Sequence, residues 1–338
     1  MNTDGTIPHG AVIIGAGQAG LAMSRALSAR GVDHLLLERG AVGHAWRTAR
    51  WDSLTMLTPN WANALPGAPY DGNAPDGFMT ASAFSWRLDR YAHAIGAPVQ
   101  DRTEVCAVRR DDAGYRIETT SGPVLGRSLV IASGACAQAA VPAISKAVPP
   151  GVLSTTPARY RRPSDLPPGG VLVVGASASG VQIARELQRS GRHVTISVGN
   201  HIRLPRHYRG RDIEGWLDAI GLLDERAEQI EDLARARQMP SPQLQGGPDA
   251  VDLNALQAIG VEVVGRLTDI RDGRALFSGG LHHLVAGADL KMARLLDQID
   301  HWVHDHGHES ALPPPDRPPP TRLPAAPALS LPLGGGVS

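Results

Sequence analysis

The sequence predicts an α/β protein of two domains, each built around a parallel sheet. Three observations carry this. An apolar triplet, Val12-Ile13-Ile14, runs straight into Gly15-Ala16-Gly17-Gln18-Ala19-Gly20 and then into a helix-forming stretch, Leu21 to Arg30. The same order returns later as Val171-Leu172-Val173-Val174, Gly175-Ala176-Ser177-Ala178-Ser179-Gly180 and Val181 to Arg189. The length, 338 residues, suits two domains better than one.

The first glycine turn has the form of a dinucleotide site. Gly15 permits a tight strand-to-helix turn, Gly17 leaves room for a pyrophosphate against the backbone, and Gly20 lets the helix approach the strand. The free amides of the first helical turn, at Gln18, Ala19 and Gly20, then face the phosphates. Gly31 closes the helix, His34 to Leu37 reads as the second strand, and Glu38 ends it. An acid at that distance suits a ribose diol, with Arg39 beside it. The domain is therefore expected to be Rossmann-like.

Residues 41 to 79 lack periodicity and hold Trp46, Trp51, Trp61 and Tyr70 among prolines. A loop that long inside a compact domain is usually functional. Gly43-His44-Ala45-Trp46-Arg47 combines a flexible turn, an aromatic that can stack on a flat ring and a cation that can hold phosphate. The alternative is that Trp46 plugs the core. Thr80 to Ile95 is an amphipathic helix with Phe84, Leu88, Tyr91 and Ala92 at helical spacing. Three strand-like pieces follow, Thr103 to Arg110, Tyr115 to Thr120 and Val124 to Leu125, separated by turn residues. They predict a small antiparallel meander inserted in the first domain. Leu129 to Ala132 returns to the parallel sheet and ends in Ser133-Gly134, where ligands bind in such sheets.

Prolines crowd Ala139 to Gly170, which reads as the segment joining the domains. The expected division is 1–165, 166–310 and a tail, 311–338. The second turn has Ser177 at the middle glycine position, with Gly175, Ser179 and Gly180 around it. No acid follows the strand His193 to Val198; His201, Arg203, Arg206, His207, Arg209 and Arg211 come instead. A cationic cluster there suits a 2′-phosphate, hence NADPH, with Arg203 and Arg206 as the leading contacts. The alternatives are a solvated basic loop, or arginines paired with Asp212 and Glu214. Helices are expected over Ile213 to Leu223, Ala227 to Arg237 and Val251 to Ile259, and a hairpin of Glu262 to Leu267 with Ala275 to Phe277 around Asp272-Gly273. A long apolar stripe runs from Leu281 to Val303. Pro313 to Ser338 is Pro-, Ala- and Gly-rich and reads as a linker or disordered end.

Composition narrows the function. Lysines plus arginines number 33 and aspartates plus glutamates 33, so charge suggests neither nucleic acid nor a membrane surface. The two cysteines, Cys106 and Cys136, form no C-x-x-C, which argues against a dithiol centre or a cysteine zinc site and fits a reducing cytoplasm. The start of the chain lacks the basic, then apolar, order of a signal peptide. No metal site is expected: there is no H-E-x-x-H, and His301, His304, His306 and His308 lie at the end of a helical run without defined ligand spacing.

Together the two glycine turns, the meander and Ala132-Ser133-Gly134 resemble flavin-dependent, NADPH-using oxidoreductases with two dinucleotide-binding domains. Within these they resemble the class B flavin monooxygenase-like group. The resemblance implies FAD at the first turn and NADPH at the second. Gly43-His44-Ala45-Trp46-Arg47 looks like the group's segment along the flavin. Arg50-Trp51-Asp52-Ser53-Leu54 with Thr58-Pro59 is similar to the stretch near the isoalloxazine, which makes Trp51, Thr58 and Asn60 candidates there. Val105 falls in the strand whose backbone meets the adenine. No acid–base residue is singled out. In such chemistry NADPH reduces the flavin, O₂ adds to it, and the flavin peroxide oxygenates a soft nucleophile or a ketone. Two departures stand out. Thr156 and Val152 occupy the His and Gly positions of the group's fingerprint, although Tyr160 fits its last place. The closing strand and helix of the FAD domain are not found after Ser310, so an incomplete flavin pocket is expected. The rival readings are an NADPH-flavin reductase without oxygenation and a truncated, non-catalytic nucleotide-binding remnant.

Overall fold

The computed structural model describes residues 8–136 and 138–334. The chain divides into two compact units: one runs to Ala140 and includes Thr156–Arg161, and the other comprises Val141–Thr155 and everything from Arg162. The proline-rich joining segment is thus shared between them.

In the first unit, β1 (His9–Ile14) leads through the first glycine turn into α1 (Gln18–Ser28), and β2 (His34–Leu37) follows. Next come α2 (His44–Thr48), α3 (Ala81–Ala94), β3 (Val99–Gln100), β4 (Val105–Asp111), β5 (Gly114–Thr119) and β6 (Val124–Ile131). They form one sheet in the order β3-β2-β1-β6-β5-β4. β1 lies between β2 and β6, parallel to both, which is why Val12 and Ile13 are fully buried. Thr80 caps α3 by accepting the Ala83 amide at 3.1 Å. The helix then buries Phe84, Leu88, Tyr91 and Ala92 against Ile13, Leu21 and Leu36. Burying each of the larger side chains stabilises by about 1.5–3 kcal/mol.

The expected meander is present, and its last strand proves to be part of the parallel sheet. β6 is continuous where two pieces were expected: Val124 to Gly126 pair antiparallel with β5, while His9–Ile14 of β1 pair with Gly126–Ile131. Gly126 makes this possible. A Cβ there would lie 2.7 Å from Cγ2 of Val12, and one on Gly114 would lie 2.4 Å from the Gly126 carbonyl oxygen.

The second unit repeats the opening pattern with β7 (Val171–Val174), α4 (Ala178–Arg189) and β8 (Val194–Ser197). After β9 (His207–Tyr208) and β10 (Arg211–Asp212) come the short helices α5 (Ile213–Ala219), α6 (Leu233–Ala236) and α7 (Leu253–Ala258). Then follow β11 (Glu262–Val264), β12 (Leu267–Arg271), β13 (Arg274–Phe277) and the long α8 (Leu281–Asp305). The parallel sheet has the order β11-β8-β7, so β7 is an edge strand among the described residues. The helix expected over Ala227 to Arg237 is not continuous. A 3₁₀ turn, Ala227–Gln229, precedes the single turn of α6, because the stretch has no apolar stripe to bury.

The tail corrects a second expectation. Residues 311–334 are not a disordered end but lie along the second unit. Arg209 donates to the Pro313 carbonyl at 3.3 Å, and Arg317 forks between Asp297 and Asp300. Thr321 donates from its amide and hydroxyl to Asp289, and the Arg322 amide donates to Asn254 at 2.8 Å. The chain ends as β14 (Ser330–Pro332), antiparallel to β13, with Leu331 and Leu333 packed against Val264, Ala275 and Phe277. Proline triplets need no hydrogen bonds of their own when extended, so side-chain anchors suffice to hold them. The sheet contact uses Ser330 and Leu331, and Pro332 sits on an edge, where a missing donor is tolerated. Gly335 to Ser338 lie outside the described residues.

Candidate functional site

Each unit carries its glycine-rich turn at the carboxyl end of its first parallel strand. At the first, Gly15 has φ +106° and its amide donates to the Leu37 carbonyl at 2.8 Å. A Cβ on Gly15 would lie 2.4 Å from the Ala132 carbonyl oxygen, and one on Gly20 would lie 2.0 Å from the Gly15 carbonyl oxygen. Both glycines are therefore demanded by the protein's own packing. Gly17 is different: a Cβ there meets nothing within 4 Å. The space beside it is open, which is what a pyrophosphate needs, and no side chain caps α1. The first-turn amides at Gln18, Ala19 and Gly20 have no partner within the helix. The turn fits the dinucleotide expected of it.

Glu38 lies beneath this turn, 8% exposed. Its carboxylate accepts the Ala16 amide at 2.9 Å and the Gly40 amide at 3.1 Å. Two oxygens offer about four acceptor sites, so capacity for a diol remains. The Thr103 amide donates to the Glu38 carbonyl at 2.8 Å, which brings the start of β4, with Val105, to the same end of the sheet. Ala132 is tied in by its amide to Ile14 at 2.8 Å, while Ser133 and Gly134 are exposed beyond it. Arg39 is exposed.

The Gly43–Arg47 segment is also drawn to the turn. The Gly43 amide donates to the Ala16 carbonyl at 3.2 Å, and the His44 ring stands so close to Gly40 that a Cβ there would be 2.2 Å from Nδ1. Trp46 is half-buried: it packs edge-on to Phe84 at 5.0 Å, and the Arg50 guanidinium lies over its ring at 4.9 Å. Arg47 is exposed and contacts the Val42 carbonyl at 3.4 Å and Asp89 at 4.0 Å. Of the three loop candidates, Trp51 is buried, and Thr58 gives its hydroxyl proton to Asn63 at 2.8 Å. Asn60 donates to the Ala74 carbonyl at 2.9 Å and leaves its Oδ1 buried without a partner.

The second turn has the same backbone and other accessories. Gly175 has φ +105°, its amide donates to Ser197 at 2.9 Å, and a Cβ on Gly180 would lie 1.9 Å from the Gly175 carbonyl oxygen. Nothing stands within 4 Å of a Cβ on Gly175, because among the described residues β7 has no neighbour on that side to match Ala132. Ser177 precedes α4 without a side-chain cap, and Ser179 is half-buried in its first turn. Val198, fully buried, occupies the place Glu38 has in the first unit.

The arginines expected to await a 2′-phosphate are already committed. Arg203, 2% exposed, donates to Asp252 at 2.7 and 2.9 Å and to Asp289 at 2.8 Å. Arg206 forms a two-pronged pair with Asp212 at 2.9 and 2.5 Å. Arg209 pairs with Asp300 at 2.7 Å. The physical reason is burial: a guanidinium withdrawn from water must be matched by carboxylates, and aspartates from distant parts of the chain do so for Arg203 and Arg209. The pairing of Arg206 with Asp212 was the alternative left open by the sequence.

Two residues that the sequence did not single out stand here. Gln243, 1% exposed, donates from Nε2 to the Ala176 carbonyl at 2.9 Å and from its amide to Ile202 at 2.8 Å. Its Oε1 is buried without a partner. His201 lies with Nδ1 3.0 Å from the Gly199 carbonyl and with a buried, partnerless Nε2. Burial pushes its imidazole below the usual histidine range, so Nε2 offers a lone pair. Nothing in a proline-flanked glutamine 67 residues from its partner could have announced this.

Among the described residues no helix is long and apolar enough to cross a membrane, and no group of three or more His, Cys, Asp and Glu side chains is placed to hold a metal ion. Trp302, His306 and His308 form a stack instead, with Trp302 and His306 4.1 Å apart. Both cysteines are exposed thiols.

Known proteins are similar to this chain. An oxidoreductase of Geobacillus kaustophilus, described as uncharacterized and CzcO-like, is 34% identical over 63% of the chain. The indole-3-pyruvate monooxygenase YUCCA1 of Oryza sativa subsp. japonica is 31% identical over 60%. The chain spans 61% of the first relative's length and 50% of the second's. Among solved structures, a flavin-containing monooxygenase from Stenotrophomonas maltophilia superposes with TM-score 0.55 at 21% identity, covering 79% of this chain and 79% of that one. The bacillithiol disulfide reductase of Staphylococcus aureus gives 0.55 at 16%, covering 80% and 71%, and at these identities the likeness is one of fold. The sequence profile of pyridine nucleotide-disulphide oxidoreductases matches residues 12–219, over half the chain and across both glycine turns. The resemblance read from the sequence is thus borne out: the chain belongs to the pyridine nucleotide-disulphide oxidoreductase family, and its relatives include flavin monooxygenases.

Proposed function

We propose that the first unit binds FAD, that the second binds NADPH, and that the protein to which this chain corresponds oxygenates a small soft nucleophile or ketone with O₂. The observation that carries the reading is the open volume beside Gly17, which the protein does not fill, above a buried carboxylate at Glu38. A bound flavin would supply hydride acceptance and reaction with O₂; the protein positions it and excludes water. The residues of this chain divide the work of binding. The α1 amides hold the pyrophosphate, Glu38 accepts from the ribose hydroxyls, and Ala132, Ser133 and the backbone near Val105 flank the nucleotide. His44 braces the turn from the Gly40 side, and Asn60 offers an unmatched acceptor. In the second unit the α4 amides, with Ser177 and Ser179, hold the other pyrophosphate. The absence of an acid at Val198 supports a phosphorylated ribose. Exposed thiols without pairing support a cytoplasmic setting.

A second reading, reduction of flavin by NADPH without oxygenation, is favoured by Thr156 and Val152 standing where flavin monooxygenases of this group carry His and Gly. Aerobic NADPH oxidation with FAD, scored for oxygenated product against hydrogen peroxide, separates the two. Coupled product supports the first reading; peroxide in full yield supports the second. No NADPH oxidation in either case contradicts both.

A further inference from the structure

We propose that Arg266, steadied by Asn200, reads the 2′-phosphate in the second unit, the task the sequence assigned to Arg203 and Arg206. This rests on the reading of the second turn as a nicotinamide nucleotide site. In a fold of this kind the ribose attached to the pyrophosphate lies past the end of the second parallel strand, and a nearby arginine accommodates a 2′-phosphate. Here that place is the end of β8, at Val198, Gly199 and Asn200.

Arg266 reaches it from the neighbouring strand. The Val198 amide donates to the Val264 carbonyl at 3.0 Å, and the Ser197 hydroxyl donates to the Gly265 carbonyl at 2.9 Å. These bonds set the chain leaving β11 beside the chain leaving β8. The Arg266 guanidinium then lies 3.7–3.9 Å from where a Cβ on Gly199 would be, and it donates to Asn200 Oδ1 at 3.0 Å. The side chain is exposed, and among the described residues no carboxylate pairs with it. It differs in this from Arg203, Arg206 and Arg209, each held by an aspartate. A guanidinium bound to one neutral acceptor keeps four of its five N–H donors for a phosphate.

Two further polar groups lie at this end of the unit. Gln243 Oε1, next to Ala176 of the turn, and His201 Nε2, two residues past Gly199, are both buried acceptors without partners. Buried acceptors left unmatched are costly, and the adenine amine and ribose hydroxyls of a nucleotide are donors.

The test is equilibrium binding of NADP⁺ and of NAD⁺ to the parent chain, Arg266→Gln and Arg266→Lys, by calorimetry and without added flavin. The parent should prefer NADP⁺. Arg266→Gln should weaken NADP⁺ about tenfold or more, the value of a charged hydrogen bond, and leave NAD⁺ as it was; Arg266→Lys should fall between. Because the side chain is exposed, the melting temperature should not move, which guards against a folding defect. A parent that prefers NAD⁺, an Arg266→Gln variant with unchanged preference, or an equal loss of both nucleotides overturns the assignment. A parent that binds neither nucleotide overturns the reading of the second turn, and this assignment with it.

Discussion

The two glycine-rich turns share a backbone and differ in everything that touches it. Gly15 and Gly175 have φ of +106° and +105°, and each donates its amide to the last residue of the second strand, at 2.8 and 2.9 Å. Gly20 and Gly180 leave space for nothing but the carbonyl ahead of them. Around the first turn stand Glu38, the end of β6 at Ala132 and the Gly43 segment. Around the second stand Val198, an open strand edge, Gln243 and His201. The frame is dictated by glycine stereochemistry and by close packing of helix on strand. The choice of ligand is left to the residue after the second strand and to loops from elsewhere. Two copies of one frame can therefore serve two different nucleotides.

The largest expected effect tests the shared frame. Gly20→Val and Gly180→Val each push a side chain into a carbonyl oxygen, so each should cost more than ~4 kcal/mol and unfold its own unit, seen as loss of one thermal transition. Stable, unchanged melting of either variant would break the equivalence of the two turns.

The next effect separates structure from recognition. Arg203→Gln leaves Asp252 and Asp289 short of a partner and should destabilise the second unit by about 3–5 kcal/mol. Its ratio of NADP⁺ to NAD⁺ affinity, measured on the folded fraction at low temperature, should not move. A large shift in that ratio would restore Arg203 to the ligand.

The tail gives a pH-dependent effect of intermediate size. Burial pushes the Asp300 carboxyl up, but hydrogen bonds from Arg317, Arg209 and Tyr208 outweigh it and hold the group below the usual aspartate range. A depressed folded pKa contributes stability above the unfolded value, ~3.9, that is lost as pH falls through the folded value. Amide protection across 317–333, taken as the intrinsic exchange rate over the observed rate at the same pH, should therefore fall in acid below about pH 4, and Asp300→Asn should show lower protection already at neutral pH. Identical exchange in parent and variant would mean that β14 alone holds the tail.

The smallest effect concerns the accessory acid. Glu38→Gln keeps an acceptor for the Ala16 amide but loses the charge. Its NH2 then faces the Gly40 amide that Glu38 accepts at 3.1 Å, so melting should fall modestly while FAD weakens about tenfold, in line with a charged hydrogen bond. An FAD affinity equal to the parent's would remove Glu38 from the ribose.

How much of this was legible follows from the range of each interaction. The positions of Gly15, Gly20 and Glu38 were legible because they are local, set by a strand, a turn and a helix in sequence order. Phe84 and Leu88 were legible because a buried helix face repeats at a fixed period. Arg203 and Arg206 misled because a basic run looks the same whether its partners are water, phosphate or aspartates; for Arg203, Asp252 and Asp289 lie 49 and 86 residues away. Gln243 was invisible for the same reason. The tail misled because composition reports what a proline-rich segment cannot do by itself, not that Arg317 and Thr321 would tie it to α8. Continuity of β6 was missed because Gly126 and Arg127 look like a break, while the structure uses that glycine to cross Val12 closely.

The most direct measurement of the central claim, that the open space beside Gly17 belongs to a flavin nucleotide, is FAD titration of the parent chain against Gly17→Val. The side chain of the variant meets no protein atom within 4 Å at its Cβ, so folding and melting should be preserved. The parent should bind one FAD and the variant none. Equal FAD binding by both, at preserved melting, would contradict the claim and place the flavin elsewhere.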